Sequence, residues 1–186
     1  MSGIRVIAGT ARGRRLKLVP GDSTRPITDR VKENLFNIIG RHIVRSTFLD
    51  LFAGTGGVGI EALSRGSAYV RFLDLDRRAI ETIRANLELT RLEEKAEVLQ
   101  RDALAVLQNE PDRPYDFIFI APPQFKGIWA EALRRIDAHP GWLEYDGWAI
   151  AQIDPKEEEP LELLRLELFD ERKYGNTKLN FYRLKE

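Results

Sequence analysis

Leu49-Asp50-Leu51-Phe52-Ala53-Gly54-Thr55-Gly56-Gly57-Val58-Gly59 is the stretch on which the fold turns. An apolar run with one carboxylate in it gives way to glycines at 54, 56 and 59, spaced G-x-G-x-x-G, and a helix-like pattern follows. A strand that ends in a glycine turn and opens a helix is the context a nucleotide-binding loop requires. Working outward, the segments 47–52, 69–74, 96–100, 117–120 and 148–153 read as strands, and 57–65, 77–90, 103–108 and 125–138 as helices. Such alternation predicts right-handed βαβ units: an α/β, Rossmann-like, mostly parallel doubly wound sheet covered on both faces. The tail changes style. Runs at 166–172 and 178–184 flank Lys173-Tyr174-Gly175-Asn176-Thr177, with Gly175-Asn176 as turn residues, which predicts an antiparallel C-terminal hairpin closing one sheet edge. Lys156–Glu159 ahead of Pro160 reads as a solvated loop.

Composition narrows the chemistry. With no cysteine among 186 residues, disulfides and thiolate metal sites are excluded, and His42 and His139 alone leave little for a zinc site or a serine-type triad. No metal is expected. No apolar run approaches the roughly 20 residues needed to span a bilayer, and the N-terminus lacks a signal-peptide pattern. The expectation is a cytoplasmic protein with no membrane partner, and a monomer.

Net charge is zero, yet it is unevenly spread. Residues 1–45 hold ten Lys/Arg (Arg5, Arg12, Arg14, Arg15, Lys17, Arg25, Arg30, Lys32, Arg41, Arg45) against Asp22, Asp29 and Glu33, a net of +7, so 46–186 carry −7. A basic arm on an acidic body fits either a polyanionic partner or a solubilising tail. Short strands at 4–8 and 16–19 around Gly9-Thr10-Ala11-Arg12-Gly13 predict an ordered hairpin, which favours a binding surface. Thr28 then caps a helix with Val31, Leu35, Ile38 and Ile39 on its apolar face, ending near Gly40. The chain therefore reads as a basic hairpin-and-helix extension over 1–45 and an α/β domain over 46–186, with Arg5, Arg12, Arg14, Arg15, Lys17, Arg25 and Arg30 as candidate contacts to a polyanion.

The glycine loop alone fits a dinucleotide site as well as any other, with Asp74, 20 residues after Gly54, on the ribose hydroxyls. Asp50 breaks the tie. A dinucleotide brings a pyrophosphate, which an adjacent carboxylate repels; S-adenosylmethionine brings a sulfonium and an ammonium, which it attracts. Asp74 is expected to accept from the ribose diol and Asp76 to cap a helix. Asp102 follows the third strand, where it either accepts from the adenine amino group or caps the next helix. Phe52, Gly54, Gly56 and Ala103 complete the expected cofactor set. The fourth strand runs into Ala121-Pro122-Pro123-Gln124-Phe125. A proline pair lacks N–H donors and stiffens the chain, so it either presents a wall of carbonyl acceptors to an amine or simply ends the strand.

At this point the sequence resembles the bacterial ribosomal RNA small-subunit methyltransferase D family over nearly its whole length. The resemblance is carried by Arg5-Val6-Ile7-Ala8-Gly9 with Arg12-Gly13-Arg14, by the run Thr24 to Asn37 (TRPITDRVKENLFN), by 49–66, and by Tyr174-Gly175-Asn176-Thr177. It implies methylation of a guanine exocyclic N2 in small-subunit ribosomal RNA or its assembly particle, with cofactor contacts at Asp50, Gly54, Gly56, Asp74 and Asp102. One departure stands out. The family pattern at the catalytic loop is Asp/Asn-Pro-Pro-Tyr/Phe, and here it is Ala121-Pro122-Pro123-Gln124. Three readings follow. The carbonyls of Ala121 and Pro122 suffice, with Gln124 as acceptor and Phe125 as stacking ring; or the substrate atom differs; or the chain binds RNA with little catalysis. The first is favoured.

Overall fold

The computed structural model describes residues 3–21 and 26–186. Its apolar runs become β1 (Thr47–Asp50), β2 (Tyr69–Asp74), β3 (Ala96–Gln100), β4 (Tyr115–Ile120) and β5 (Leu143–Ile153), all parallel, with β6 (Leu166–Tyr174) and β7 (Thr177–Leu184) added antiparallel in the order β3-β2-β1-β4-β5-β7-β6. Helices α1 (Asp29–Ile39), α2 (Gly57–Ser64), α3 (Arg77–Thr90), α4 (Ala103–Leu107) and α5 (Ile128–Ala138) cover it. Successive strand residues face opposite ways, so Phe48 joins Leu35, Ile39, Ile60 and Phe72 under α1–α3, while Leu49 joins Leu73, Ile118, Trp129 and Leu133 under α4 and α5. Burial on both faces is why the strands read as unbroken apolar runs.

The order of strands reverses between β1 and β4, and Asp50 lies level with Phe119 across that junction. The carboxyl ends of these two strands form the crevice where open α/β sheets bind ligands. Gly59 sets how closely α2 approaches the sheet: a Cβ there would lie 2.3 Å from the Phe72 ring. Among the described residues no helix is long and apolar enough to cross a membrane.

Several element bounds depart from the sequence reading. β5 begins at Leu143, five residues early, because exposed Glu144-Tyr145-Asp146 and a register shift opposite Tyr115/Phe117 hide the pattern. α5 starts at Ile128, not at 125, since Phe125 and Gly127 take φ of 60° and 67°, which no helix accepts. The C-terminal hairpin closes through Gly175-Asn176, as the sequence reading has it, but its strands run up to the turn on both sides, with Tyr174 opposite Thr177.

The N-terminal hairpin forms, but with a single bridge, Arg5 to Arg15, made by the Val6 amide donating to Arg14 and the Leu16 amide to Ile4, and one further bond, from the Gly13 amide to the Val6 carbonyl. Regular strands do not extend over 4–8 and 16–19 because their donors go elsewhere. The amides of Ile7 and Ala8 donate to the Glu61 carboxylate at 2.9 and 3.1 Å, and those of Thr10 and Ala11 to the backbone oxygen and hydroxyl of Ser64, both at 2.9 Å. The approach is so close that a Cβ on Gly9 would sit 1.9 Å from the Ser64 oxygen. The hairpin is stitched to α2.

Candidate active site

Asp50 ends β1, is 2% exposed, and accepts from the Gly59 amide at 3.2 Å. Burial pushes its carboxyl up to about 7; the Gly59 N–H opposes this and the charge of Asp74 adds to it. Asp74, at the end of β2, uses both oxygens on backbone: one accepts from Gly54 at 2.9 Å, the other from Asp76 at 2.9 Å. It therefore ties the glycine loop to the second strand. Gly54 and Gly56 both take positive φ, and Gly56 is the N-cap of α2. Asp76 caps α3 through the Arg78 amide, as expected.

Asp102 proves to cap α4, yet one oxygen does the whole task, Oδ1 accepting from Leu104 and Ala105 at 2.9 and 3.4 Å. Capping and ligand binding, set out as rivals from sequence, are compatible at this residue. Ala103 is buried beside it, and Phe52 packs half-buried against the α5 side of the core. Leu75, between Asp74 and Asp76, was not picked out from sequence. It is 67% exposed at the carboxyl edge, an apolar side chain among carboxylates.

Beside them, Ala121 is half-buried, Pro122 buried, and Pro123, Gln124 and Phe125 exposed. The Phe125 amide donates to Glu157 Oε2 at 2.9 Å. The charged stretch 156–159 is thus not a free solvated loop. Glu157 grips the β4 loop, Glu158 takes Lys178 at 2.6 Å and Asn180 at 3.2 Å, and Glu159 takes Arg134 at 3.1 Å. Burial holds the Glu157 carboxyl above its ordinary value, against the Phe125 N–H and with help from Asp154.

Of the candidate cations, Arg5, Arg12, Arg14, Arg15, Lys17 and Arg30 are exposed, with Arg5 paired to Asp29 at 3.0 Å. Arg25 lies outside the described residues. Lys32, counted in the basic arm, is no surface charge. It is 1% exposed, 3.6 Å from Glu61, and donates to the Arg5 carbonyl at 2.6 Å. Burial lowers its pKa, opposed by the charges of Glu61 and Asp29. Glu61, wholly buried, also takes Arg65 at 2.8 Å. Asn86 of α3 makes a second stitch: its amide accepts from the Lys17 N–H at 2.7 Å and donates to the carbonyls of Lys17 and Thr55 at 3.0 and 2.9 Å. One signal for Glu61 was available in the sequence, a lone charge inside the apolar run 58–63; Asn86 offered none.

The geometry has counterparts among known proteins. The family model described as "Conserved hypothetical protein 95" matches residues 4–183. Ribosomal RNA small subunit methyltransferase D of Haemophilus influenzae is 35% identical over 160 residues, covering 85% of this chain and 81% of that one. The chain belongs to the ribosomal RNA small subunit methyltransferase D family. YlbH of Bacillus subtilis (strain 168) is 41% identical over 97% of this chain and 98% of its own. The solved structure of yhhF from Escherichia coli superimposes with a TM-score of 0.87 at 30% identity, covering 99% of both chains. The family's named members are methyltransferases, and S-adenosylmethionine is the cofactor expected from the sequence. The residues present fit that ligand: a buried carboxylate at Asp50 for a cation, further carboxylates at Asp74 and Asp102 for hydroxyl and amino donors, and an exposed apolar Leu75 between them.

Proposed function

We propose that the chain methylates the exocyclic N2 amine of a guanine in small-subunit ribosomal RNA, free or in an assembling particle. The observation that carries this reading is the basic arm, stitched by Glu61 and Asn86 to the two helices that flank the glycine loop. Cations for phosphate and the cofactor edge then belong to one rigid body, and relatives named for small-subunit ribosomal RNA support the choice of substrate.

In this reading Asp50 holds the cofactor's ammonium, Asp74 its ribose hydroxyls and Asp102 Oδ2 its adenine amino group, with Phe52, Gly54, Gly56 and Ala103 lining the pocket. When bound, S-adenosylmethionine supplies an electrophilic methyl group. A guanine N2 lone pair is delocalised into the ring and weakly nucleophilic. The carbonyls of Ala121 and Pro122 and the amide oxygen of Gln124 accept its hydrogens, which favours a pyramidal nitrogen and stabilises the positive charge developing on it. The product ammonium is acidic, so positioning supplies most of the rate and no strong base is needed. The base must leave its stack to reach this edge, and Phe125 offers it a ring. Arg5, Arg12, Arg14, Arg15, Lys17, Arg25 and Arg30 bind phosphate.

A second reading rests on Ala121, which lacks the family's side-chain acceptor: an RNA-binding module that keeps the pocket. Transfer of labelled methyl to ribosomal RNA and precursor particles, followed by mass spectrometry of the nucleosides, decides between them. N2-methylguanosine confirms the proposal. No transfer by the native chain, with activity gained in Ala121→Asn, establishes the second reading.

A further inference from the structure

The Ala121–Phe125 loop has few means of holding its own shape. Pro122 and Pro123 bring no N–H donors. Among the described residues, the bond from the Phe125 amide to Glu157 is the one hydrogen bond that joins 122–126 to another element. Packing does not substitute for it, because the Phe125 side chain is 61% exposed. Yet Phe125 holds a φ of 60°. An L residue adopts that left-handed backbone at a cost and keeps it only where its surroundings impose it.

Glu157 is well placed to impose it. It ends a tight turn, Pro155–Glu157, in which Asp154 Oδ1 accepts from the Lys156 amide at 2.8 Å and the Glu157 amide bonds back to the Asp154 carbonyl at 3.0 Å. The two following glutamates are pinned to Lys178, Asn180 and Arg134. A carboxylate is thus delivered from the end of β5 by a braced turn to the one amide that fixes the loop beyond β4.

We propose that Glu157 is a positioning residue that holds Phe125 in its left-handed turn and so presents the ring at the edge of the cleft. The proposal rests on the reading of Phe125 as the ring beneath the target base. The acceptor matters more than the charge, so Glu157→Gln keeps the function and Glu157→Ala loses it.

The test measures single-turnover methyl transfer to ribosomal RNA at saturating S-adenosylmethionine, together with cofactor affinity. Glu157→Ala is expected to slow transfer about tenfold with cofactor affinity unchanged, and Glu157→Gln to stay within about threefold of wild type. In a Phe125→Ala background, Glu157→Ala should have no further effect, as two residues acting through one interaction are not additive. A wild-type rate in Glu157→Ala, a Gln variant as slow as the Ala variant, or the same loss in the Phe125→Ala background would each overturn the proposal. Hydrogen exchange at the Phe125 amide is independent of catalysis. Slow exchange in wild type and Glu157→Gln but fast exchange in Glu157→Ala supports the bond; equal rates in all three overturn it. A protected amide in a wild-type protein that methylates no ribosomal RNA refutes the functional reading, and leaves the positioning bond established.

Discussion

If Asp50 holds the cofactor's ammonium, as proposed, its buried carboxylate makes cofactor binding depend on pH. Burial raises its pKa from 3.8 to about 7, so below neutrality the empty pocket holds a neutral acid. The shift is about three units, and at 1.36 kcal/mol per unit the ionised form is disfavoured by about 4 kcal/mol before any ligand arrives. A cation bound beside it recovers part of that penalty. Because the folded pKa lies above the unfolded one, the group stabilises the empty protein fully below about pH 4, and that stability is lost as pH rises through about 7. Cofactor binding runs the other way. The ammonium selects the ionised carboxylate, so between pH 5.5 and 7 each unit of acidification should weaken S-adenosylmethionine up to about tenfold, with close to one proton released per molecule bound at the acid end and about half a proton near pH 7. The ligand's own α-ammonium titrates at about 7.7–8.0, above this window. Calorimetry in buffers of different ionisation enthalpy counts the proton. Asp50→Asn keeps an acceptor for the Gly59 amide but cannot ionise. It should bind more weakly at pH 7 by about 1.5–3 kcal/mol, the worth of a hydrogen bond to a charged group, and should show no slope. Equal affinity for the wild type at pH 5.5 and 7, or the same slope in Asp50→Asn, would refute the assignment of the ammonium to Asp50.

Two other outcomes follow from the arm. Glu61→Ala strands the buried Lys32 charge and the amides of Ile7 and Ala8, and should cost about 3–5 kcal/mol in urea unfolding, as breaking one side of a buried pair does; a loss under 1 kcal/mol would mean the stitch carries little. Replacing Arg12, Arg14 and Arg15 by Ala should leave cofactor affinity alone while lowering the slope of log RNA affinity against log salt by about 0.7–0.9 for each phosphate these side chains neutralise, and an unchanged slope would show that they do not meet phosphate.

The layout was legible because its determinants are local. Alternating apolar runs, the turn at Gly54–Gly59 and caps such as Thr28 and Asp76 announce themselves within a few residues, and each falls where the sequence places it. What the sequence hid depends on partners distant along the chain. Residues 4–8 have the composition of a strand, but the amides of Ile7 and Ala8 are satisfied by Glu61, more than fifty positions away. Lys32 looks like one more surface charge until the helix that carries it is packed over α2. Glu157 sits in a run of charges that reads as solvent-exposed; its role appears only when the ends of β4 and β5 are brought side by side. Asp102 shows the same limit at atomic scale, since only the folded geometry reveals that one oxygen suffices for the cap.

Burying Lys32 against Glu61 is a poor way to gain stability, because two desolvated charges rarely outdo a well-packed apolar pair. The arrangement makes sense as a device for placement. A hairpin with one bridge has backbone donors to spare, and an apolar interface would let it slide along α2. A carboxylate that takes the amides of Ile7 and Ala8 fixes its position, and Lys32, donating to the Arg5 carbonyl, fixes it again from α1. Asn86 repeats the principle at the other strand of the hairpin, where one side chain reads both the N–H and C=O of Lys17 and also holds Thr55 of the glycine loop. The backbone that carries Arg12, Arg14 and Arg15 is thereby tied on both sides to helices that pack against the glycine loop. On the proposal that these cations meet RNA phosphate, RNA held by them would arrive at a set offset from Asp50 and from the Ala121–Phe125 loop. For a transfer whose rate comes mainly from alignment, that registration would be the arm's contribution, over and above affinity.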